Sequence, residues 1–281
     1  MNLKRKSVLT ISLLLVAIIG VGCSKSDGYV IGVTTGTTYQ EVAESYSNVK
    51  EVRSLKNDNF TLKELADERV DAVISDRLVA LNAIKNGGFD DLEVAGDVIY
   101  NETIAVAIKQ EDDALRQAIN KALASMIEDG TYASISEKYF ERDILEDFDY
   151  KKTFANEEEA TDDSLQRVLD AGEITFAMSG GYPPFNYFED EELVGFDVEI
   201  GKEVANRLGV EYTPITTNWS GILEGLRSGR YDGIFGSMAI TDDRLEVVDF
   251  TDPYYYSGAQ IIVKEGSDIK GVEDLGEVEE D

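Results

Sequence analysis

The chain alternates short continuous apolar runs with segments in which apolar residues recur every three or four positions. Tyr29–Val33 is a continuous run typical of a buried strand, and the polar segment after it predicts a helix beginning near Tyr39. Helical spacing is clearest from Leu115 to Ile127, and Gly130 supplies the stop. Further strands are predicted at Asp71–Ile74, Ile104–Ile108, Ile174–Met178, Tyr231–Phe235 and Gln260–Val263, and further helices at Leu62–Leu65, Tyr132–Tyr139, Ser164–Leu169 and Ile222–Leu226.

One more helix is predicted from Asp197, which is the type of residue that caps a helix, to the terminator Gly209. Strands and helices therefore alternate with short connections. This order is typical of α/β proteins, in which helices cover parallel sheets.

An acidic stretch divides the chain into two such blocks. Residues 145–163 contain eight acids, two lysines and no periodic apolar stripe. This composition predicts a solvated linker.

The two blocks share a short pattern. Arg69–Asp76 and Arg230–Ser237 both read arginine, apolar, aspartate, small, two apolar residues and then small or polar residues. Each segment ends a predicted buried strand, where an open α/β sheet presents its ligand-binding loops. Although the pattern alone is short enough to arise by chance, it predicts two lobes with matching loops facing each other across a cleft.

The N-terminus has the features of a targeting segment. Lys4, Arg5 and Lys6 precede the apolar run Val8–Val21, which is short for a membrane span and ends at Gly22-Cys23. This resembles a bacterial lipoprotein signal over residues 1–22, with Cys23 lipidated and residues 23–28 as a tether. Gly20 departs from the usual branched residue three positions before the cysteine. The alternative is an uncleaved membrane anchor with a structural cysteine.

The composition excludes several kinds of catalytic and metal site and one class of partner. The 281 residues include no histidine and one cysteine, which excludes His-dependent triads, His-ligated metals and internal disulfides. The formal net charge is −30, and removing residues 1–22 leaves 23 Lys+Arg against 56 Asp+Glu, a charge of −33. Such a polyanion is a poor partner for nucleic acid, so small molecules or proteins are the expected partners.

Five ordered motifs in the second block carry a family resemblance: Gly181–Phe185, Leu193–Val198, Trp219–Leu223, Gly236–Arg244 and Asp249–Tyr254. They resemble the first half of the extracellular solute-binding proteins of family 3, which are polar amino-acid receptors of ABC importers. The first block resembles the other half through Gly32–Thr38, Val70–Asp76 and Asp129–Tyr132. The resemblance implies a two-lobed periplasmic-binding-protein-like fold of type II, with a ligand cleft between the lobes.

The halves stand in the opposite order to the family's, which predicts a circular permutation. The expected organisation is lobe 2 at 29–106 with 265–281, C-terminal helices of lobe 1 at 107–144, linker at 145–163 and lobe 1 at 164–264. The strands expected to cross between lobes lie near Ile104–Lys109 and Gln260–Lys264. The alternative is a fragment of a tandem duplication that pairs with another copy.

The resemblance assigns residues to an amino-acid ligand. Arg244 would bind the carboxylate, because a guanidinium fork takes two oxygens at once, and Thr37 and Thr38 would reach it from the other lobe. Asp76, at the end of a buried strand, would bind the ammonium group. Ion pairs of Arg244 with Asp242 or Glu246, and of Asp76 with Arg77, are the structural alternatives.

The remaining residues expected to contact the ligand are small or aromatic. Ser237 and the backbone of Gly236 and Ala239 would complete the polar contacts, while Tyr182 and Trp219 would sandwich the ligand side chain. Candidates for the distal pocket are Thr34, Met178, Ser179 and Asn186, and no carboxylate that would select a cationic side chain can be assigned there.

The expected function is a monomeric, lipid-anchored receptor on the extracytoplasmic side of the cell membrane. It would close around a polar or basic amino acid and deliver it to an ABC permease, with no metal or cofactor. Two alternatives remain open. One is an enzyme on the same fold, dehydratase-like or peptidoglycan-cleaving, although no cleft pair of carboxylates is evident for it; the other is a ligand sensor without transport.

Overall fold

The computed structural model describes residues 28–146 and 159–278. The strands are β1 Tyr29–Thr34, β2 Val49–Leu55, β3 Ala72–Asp76, β4 Leu92–Ala95, β5 Asn101–Ile108, β6 Glu173–Met178, β7 Gly181–Tyr182, β8 Asn186–Glu189, β9 Glu192–Val194, β10 Glu211–Thr216, β11 Gly233–Ala239, β12 Asp249–Phe250 and β13 Tyr255–Lys264. The helices are α1 Thr38–Glu44, α2 Asp58–Ala66, α3 Arg77–Asn86, α4 Asp113–Glu128, α5 Thr131–Phe140, α6 Ser164–Ala171, α7 Phe196–Leu208, α8 Ile222–Arg227 and α9 Asp242–Leu245.

Two lobes with the same strand order make up the fold. In lobe 2 the order is β2-β1-β3-β13-β4, and in lobe 1 it is β10-β6-β11-β5-β12. The first three strands of each sheet are parallel, and the fourth is an antiparallel strand. The α/β architecture of the type II periplasmic-binding fold is therefore confirmed.

Strands β5 and β13 join the lobes. Tyr255–Gly258 pairs with Asn101–Ile104, where the two strands run side by side, and then Ala259–Ile262 pairs with Val73–Asp76 of lobe 2. Ile104–Ile108 pairs with β11 of lobe 1. Both expected crossing strands are present, but β13 changes sheet near Gly258 and β5 near Thr103, a few residues earlier than the expected lobe boundaries at 264 and 106.

The repeated arginine-apolar-aspartate pattern has a structural cause. Asp71 precedes β3, and its Oδ2 accepts a hydrogen bond from the Val30 N–H at 2.7 Å. Asp232 precedes β11, and its Oδ2 accepts from the Thr175 N–H at 2.8 Å. Each aspartate therefore links the strand that follows it to the parallel strand beside it. The two copies of the pattern occupy equivalent positions in two similar sheets.

The expected elements of the two blocks are present, with shifted ends. The strand expected at Tyr231–Phe235 begins two residues later and continues to Ala239, at the cleft. The prediction of Asp197 as a cap was wrong: Gly195 occupies that position, and Asp197 is a buried residue of the first turn of α7. Within the described part no helix combines the length and apolar character needed to cross a bilayer.

Some expectations fall outside the described residues. These are the signal segment 1–22, Cys23 with most of the tether, and residues 147–158 of the acidic linker.

Candidate functional site

A cavity lies between the lobes, where the carboxyl ends of β1, β6 and β11 approach each other. Eight of the nine residues expected to bind ligand line it: Thr37, Thr38, Tyr182, Trp219, Gly236, Ser237, Ala239 and Arg244. The cavity is also lined by Thr34 and Ser179, two of the residues considered for the distal pocket. The cleft thus collects residues from both halves of the chain.

Arg244 reaches the cavity from the short helix α9. Its Nη1 donates to the Ala239 carbonyl oxygen at 2.8 Å, and its guanidinium carbon lies 6.0 Å from the centre of the Trp219 ring. Burial lowers the pKa of Arg244, while the negative charge of Glu102 acts in the opposite direction. Among the described residues Arg244 forms no salt bridge, so the alternative pairs with Asp242 and Glu246 do not form. The guanidinium retains donors for an anion.

The hydroxyl groups of the two threonines are already in use. Thr37 Oγ1 donates to the Thr34 carbonyl oxygen at 2.7 Å, and Thr38 Oγ1 donates to Glu102 Oε1 at 2.6 Å. Both residues lie at the start of α1, where the first N–H groups have no acceptor within the helix. A ligand carboxylate would therefore meet their backbone donors rather than their hydroxyls.

Ser237 is held in a strained conformation at the cavity wall. Its φ is 61°, which is uncommon for a residue with a side chain, and the pairing of β11 with β5 shifts register between Ile234 and Met238. The Ser237 hydroxyl donates to Asp197 Oδ2 at 2.9 Å, and its N–H donates to the Tyr254 hydroxyl at 3.0 Å. These two bonds fix the bulge that turns β11 toward the cavity.

Asp197 is the centre of that network, and sequence reasoning missed this role. Its carboxylate also accepts from Asn186 Nδ2 and from the Tyr254 hydroxyl, each at 2.8 Å. Burial raises the pKa of Asp197 to about 7, although the hydrogen bonds from Tyr254, Asn186 and Ser237 act to lower it. Asn186, considered for the distal pocket, is fully buried and supports Asp197.

The aromatic residues take different positions. Tyr182 stacks on the fully buried Phe185, with 5.4 Å between ring centres. Trp219 stands in a 3-10 turn, and its Nε1 donates to the carbonyl oxygen of Gly36 in the other lobe at 3.1 Å. Tyr182 therefore belongs to a fixed wall, whereas Trp219 bridges the cleft.

Asp76 does not line the cavity. It is fully buried and caps α3, since its Oδ1 accepts from the N–H groups of Leu78 at 2.6 Å and Val79 at 3.2 Å. Its Oδ2 has no hydrogen-bond partner among the described residues, and the exposed Arg77 forms no ion pair with it. Burial raises the pKa of Asp76 to about 7, although the Ser257 hydroxyl acts to lower it. Burial also raises the pKa of Tyr182, and the negative charge of Asp76 adds to that effect.

Two cavity carboxylates were missed by the sequence analysis. Asp58 starts α2 and is 3% exposed; its Oδ2 accepts from Thr34 Oγ1 at 2.9 Å, and its Oδ1 accepts from the Ser75 hydroxyl. Glu102 stands on β5 and accepts from Thr38 Oγ1 and, at 2.7 Å, from the Tyr39 hydroxyl. The cleft is therefore more acidic than expected. Within the described ranges no group of histidine, cysteine and acidic residues could hold a metal ion.

The lobes touch across the cleft at a second point. Gly181 of lobe 1 packs against Asn57 of lobe 2 so closely that a Cβ at position 181 would lie 2.2 Å from Asn57 Nδ2. Together with the bond from Trp219 to Gly36, this contact corresponds to a closed arrangement of the lobes.

A family model and several curated relatives match this chain. The model of the bacterial extracellular solute-binding proteins, family 3, matches residues 23–142 and 174–277. The L-cystine-binding protein TcyJ of Escherichia coli (strain K12) is 38% identical over 127 residues, which cover 44% of this chain and 46% of that protein. The chain thus spans about half the length of this relative. The L-arginine-binding protein of Pseudomonas aeruginosa is 34% identical over 97 residues, covering 34% of this chain and 38% of that protein.

Among solved structures, the P235GK mutant of ArgBP from T. maritima is similar at 35% identity and a TM-score of 0.32, over 32% of this chain and 40% of that chain. The family match covers both lobes, the two crossing strands and the residues around the cleft. The chain therefore belongs to the bacterial extracellular solute-binding proteins, family 3.

Proposed function

We propose that this protein is a lipid-anchored receptor outside the cell membrane that binds a polar or basic amino acid and delivers it to an ABC permease. Membership of an extracellular solute-binding family supports an extracytoplasmic receptor. Relatives named as amino-acid-binding proteins support an amino acid as the ligand and an ABC transporter as the partner. Acylation of Cys23 would hold the receptor at the membrane surface.

The observation that carries the proposal is the guanidinium of Arg244, which faces an interlobe cavity and forms no salt bridge among the described residues. A ligand carboxylate would take its free donors. The Asp76 Oδ2 atom has no hydrogen-bond partner among the described residues, and it would accept from the ammonium group once the side chains between it and the cavity move aside. These two assignments place opposite charges of the ligand on opposite lobes.

Binding would then stabilise closure. Because Arg244 belongs to lobe 1 and Asp76 to lobe 2, one ligand contacts both lobes only when they are close together. Closure would occur about the two connecting strands β5 and β13. A ligand that favours the closed state in this way shifts the population toward it.

We also propose that the chain is a circular permutation of the family order and that one chain forms the whole receptor as a monomer. The support is a convergence of distant segments. The Asn48 N–H donates to the Leu275 carbonyl oxygen, while the Asn48 carbonyl oxygen accepts from the Tyr29 N–H, each at 2.8 Å. Residues 275 and 29 therefore meet at one loop, where a short bridge would restore the usual order.

A rearranged chain tests the permutation. A variant that runs from 159 to 278, continues through a short glycine-serine bridge and then runs from 28 to 146 should fold as a monomer with closely similar thermal stability and ligand affinity. If the parent is instead only a domain-swapped dimer by light scattering, the fragment of a tandem duplication is the better description.

A thermal-shift screen tests the receptor function. The protein from Cys23 onward would be screened against the twenty amino acids and cystine, because a tight ligand raises the melting temperature by mass action. A shift with one amino acid or a related group is expected. No shift with any of them, confirmed by calorimetry, would contradict the proposal.

A further inference from the structure

Asp58 is a buried cavity carboxylate without a cationic partner. Its two oxygens accept hydroxyl hydrogen bonds from Thr34 and Ser75, which stand at the ends of β1 and β3. No described lysine or arginine forms a salt bridge with it. Since each carboxylate oxygen can accept more than one hydrogen bond, Asp58 keeps acceptor capacity toward the cavity.

Glu102 differs from Asp58 in its surroundings. Its oxygens accept hydrogen bonds from Thr38 and Tyr39. Burial raises the pKa of Glu102, while these two hydrogen bonds and the positive charge of Arg244 act to lower it. Asp58 has no such neighbour: burial raises its pKa, and only hydrogen bonds oppose that effect. Of the two acids that line the cavity, Asp58 is the one whose charge is uncompensated.

Asp58 and Glu102 have different partners in the cavity lining. Glu102 accepts from Thr38 and is affected by the charge of Arg244, whereas Asp58 accepts from Thr34 and Ser75. Asp58 and Tyr182 both line the cavity, so a ligand side chain held there can approach the Asp58 carboxylate.

Removing the unpaired Asp58 charge from water costs free energy, and a cation in the cavity would offset that cost. A ligand with a neutral side chain would not offset it. Resting on the receptor function proposed above, we propose that the ligand is an amino acid with a cationic side chain, of the lysine, ornithine or arginine type, and that Asp58 is the residue that selects it.

The test compares arginine with citrulline, its neutral analogue of nearly the same shape, by calorimetry on the folded protein. Lysine against glutamine gives a second pair. The wild type should bind each cationic member at least about tenfold more tightly, in line with the value of a charge-assisted hydrogen bond. Asp58→Asn should reduce that ratio to near unity, and its melting curve reports whether it folds.

Two further variants make the assignment specific. Glu102→Gln should change the affinities for arginine and for citrulline by the same factor, so that the ratio of the two affinities stays as in the wild type. Asp90→Asn, at an exposed acid, should preserve both affinities and controls for net charge. If Glu102→Gln rather than Asp58→Asn removes the preference, the assignment to Asp58 is wrong.

The outcomes distinguish this inference from the function on which it rests. Equal or tighter binding of a neutral amino acid by the wild type would overturn the inference and leave the receptor function intact. Binding of no amino acid at all would overturn both.

Discussion

The indole Nε1 of Trp219 donates a hydrogen bond to the carbonyl oxygen of Gly36 at 3.1 Å, across 183 residues of sequence and from one lobe to the other. The same ring lies beside the Arg244 guanidinium. Closure of the cleft, the position of the only tryptophan and the proposed anion site are thus physically coupled.

Ligand binding should change the fluorescence of Trp219, which is the only tryptophan in the chain. Closure moves the indole from solvent to the Gly36 carbonyl and the guanidinium, so both intensity and emission wavelength should respond. Titration with an amino acid that gives a thermal shift measures this. Binding by calorimetry without any change in emission would contradict the assignment of Trp219 to the closing cleft.

Gly181→Ala should weaken ligand binding by hindering closure. A Cβ at this position overlaps the Asn57 side chain of the other lobe, and overpacking of this kind costs about 1–3 kcal/mol. Affinity should fall by about tenfold or more, while the melting temperature without ligand should change little because the lobes can open. Gly221→Ala is the matched control, since a Cβ there meets nothing within 4 Å. Equal effects of the two substitutions would contradict the closure argument.

Arg244→Ala should remove most amino-acid binding while preserving the fold. Each charge-assisted hydrogen bond contributes about 1.5–3 kcal/mol, so loss of a two-pronged contact predicts a decrease of about a hundredfold or more. Arg230→Ala, at an exposed arginine, is the control and should bind normally. Near-normal affinity of Arg244→Ala in calorimetry would exclude Arg244 from the site.

Asp76→Asn separates a ligand role from a structural one. Asparagine caps a helix about as well as aspartate and avoids the cost of a buried charge, so α3 should keep its N-terminus and the protein should be at least as stable as the wild type. Loss of the negative charge should nevertheless weaken amino-acid binding by about tenfold or more, the value of a charged hydrogen bond. Unchanged affinity would contradict the assignment of Asp76 to the ligand ammonium.

The ligand-free protein should become less stable as the pH rises from about 4 to about 7. Burial raises the pKa of Asp197 from 3.8 to about 7, so in this range the folded state holds a proton that the unfolded state has released. The free energy of unfolding therefore falls with pH across that interval and levels off above it. Chemical denaturation at pH 5 and pH 7.5 measures the difference.

Asp197→Asn isolates this contribution, because an amide cannot ionise. The variant should have a smaller stability difference between pH 5 and pH 7.5 than the wild type. Asp76, whose pKa burial also raises to about 7, would account for part of the remaining slope. The same slope in Asp197→Asn and wild type would show that the Asp197 carboxyl does not titrate in this range.

The candidate site was predictable where a local motif carries it. Arg244 and Ser237 both lie in Gly236–Arg244, one of the motifs that carry the family resemblance. That resemblance, which depends on residues within a few places along the chain, assigned both to the site. Asp58 carries no such signal, because an acid in the first turn of a helix is usually a solvated residue that favours the helix dipole.

Glu102 and Asp197 were missed for related reasons. Glu102 precedes an apolar strand and could equally have been an exposed strand end. It is buried because Thr38 and Tyr39, more than sixty residues earlier, fold over it. Asp197 matches a helix cap in sequence, but Asn186, Ser237 and Tyr254 surround its carboxylate instead.

Local sequence was enough to predict the α/β class and the two similar blocks, because these follow from hydrophobic periodicity. The connecting strands and the residues that line much of the cleft were implied by the resemblance of short motifs to the family. Which charges are buried and which lack a salt-bridge partner among the described residues, as in Arg244 and Asp58, emerged only from the folded arrangement. The energy of a charge depends on its solvation and on the distance to charges from remote segments, and local pattern does not specify either quantity.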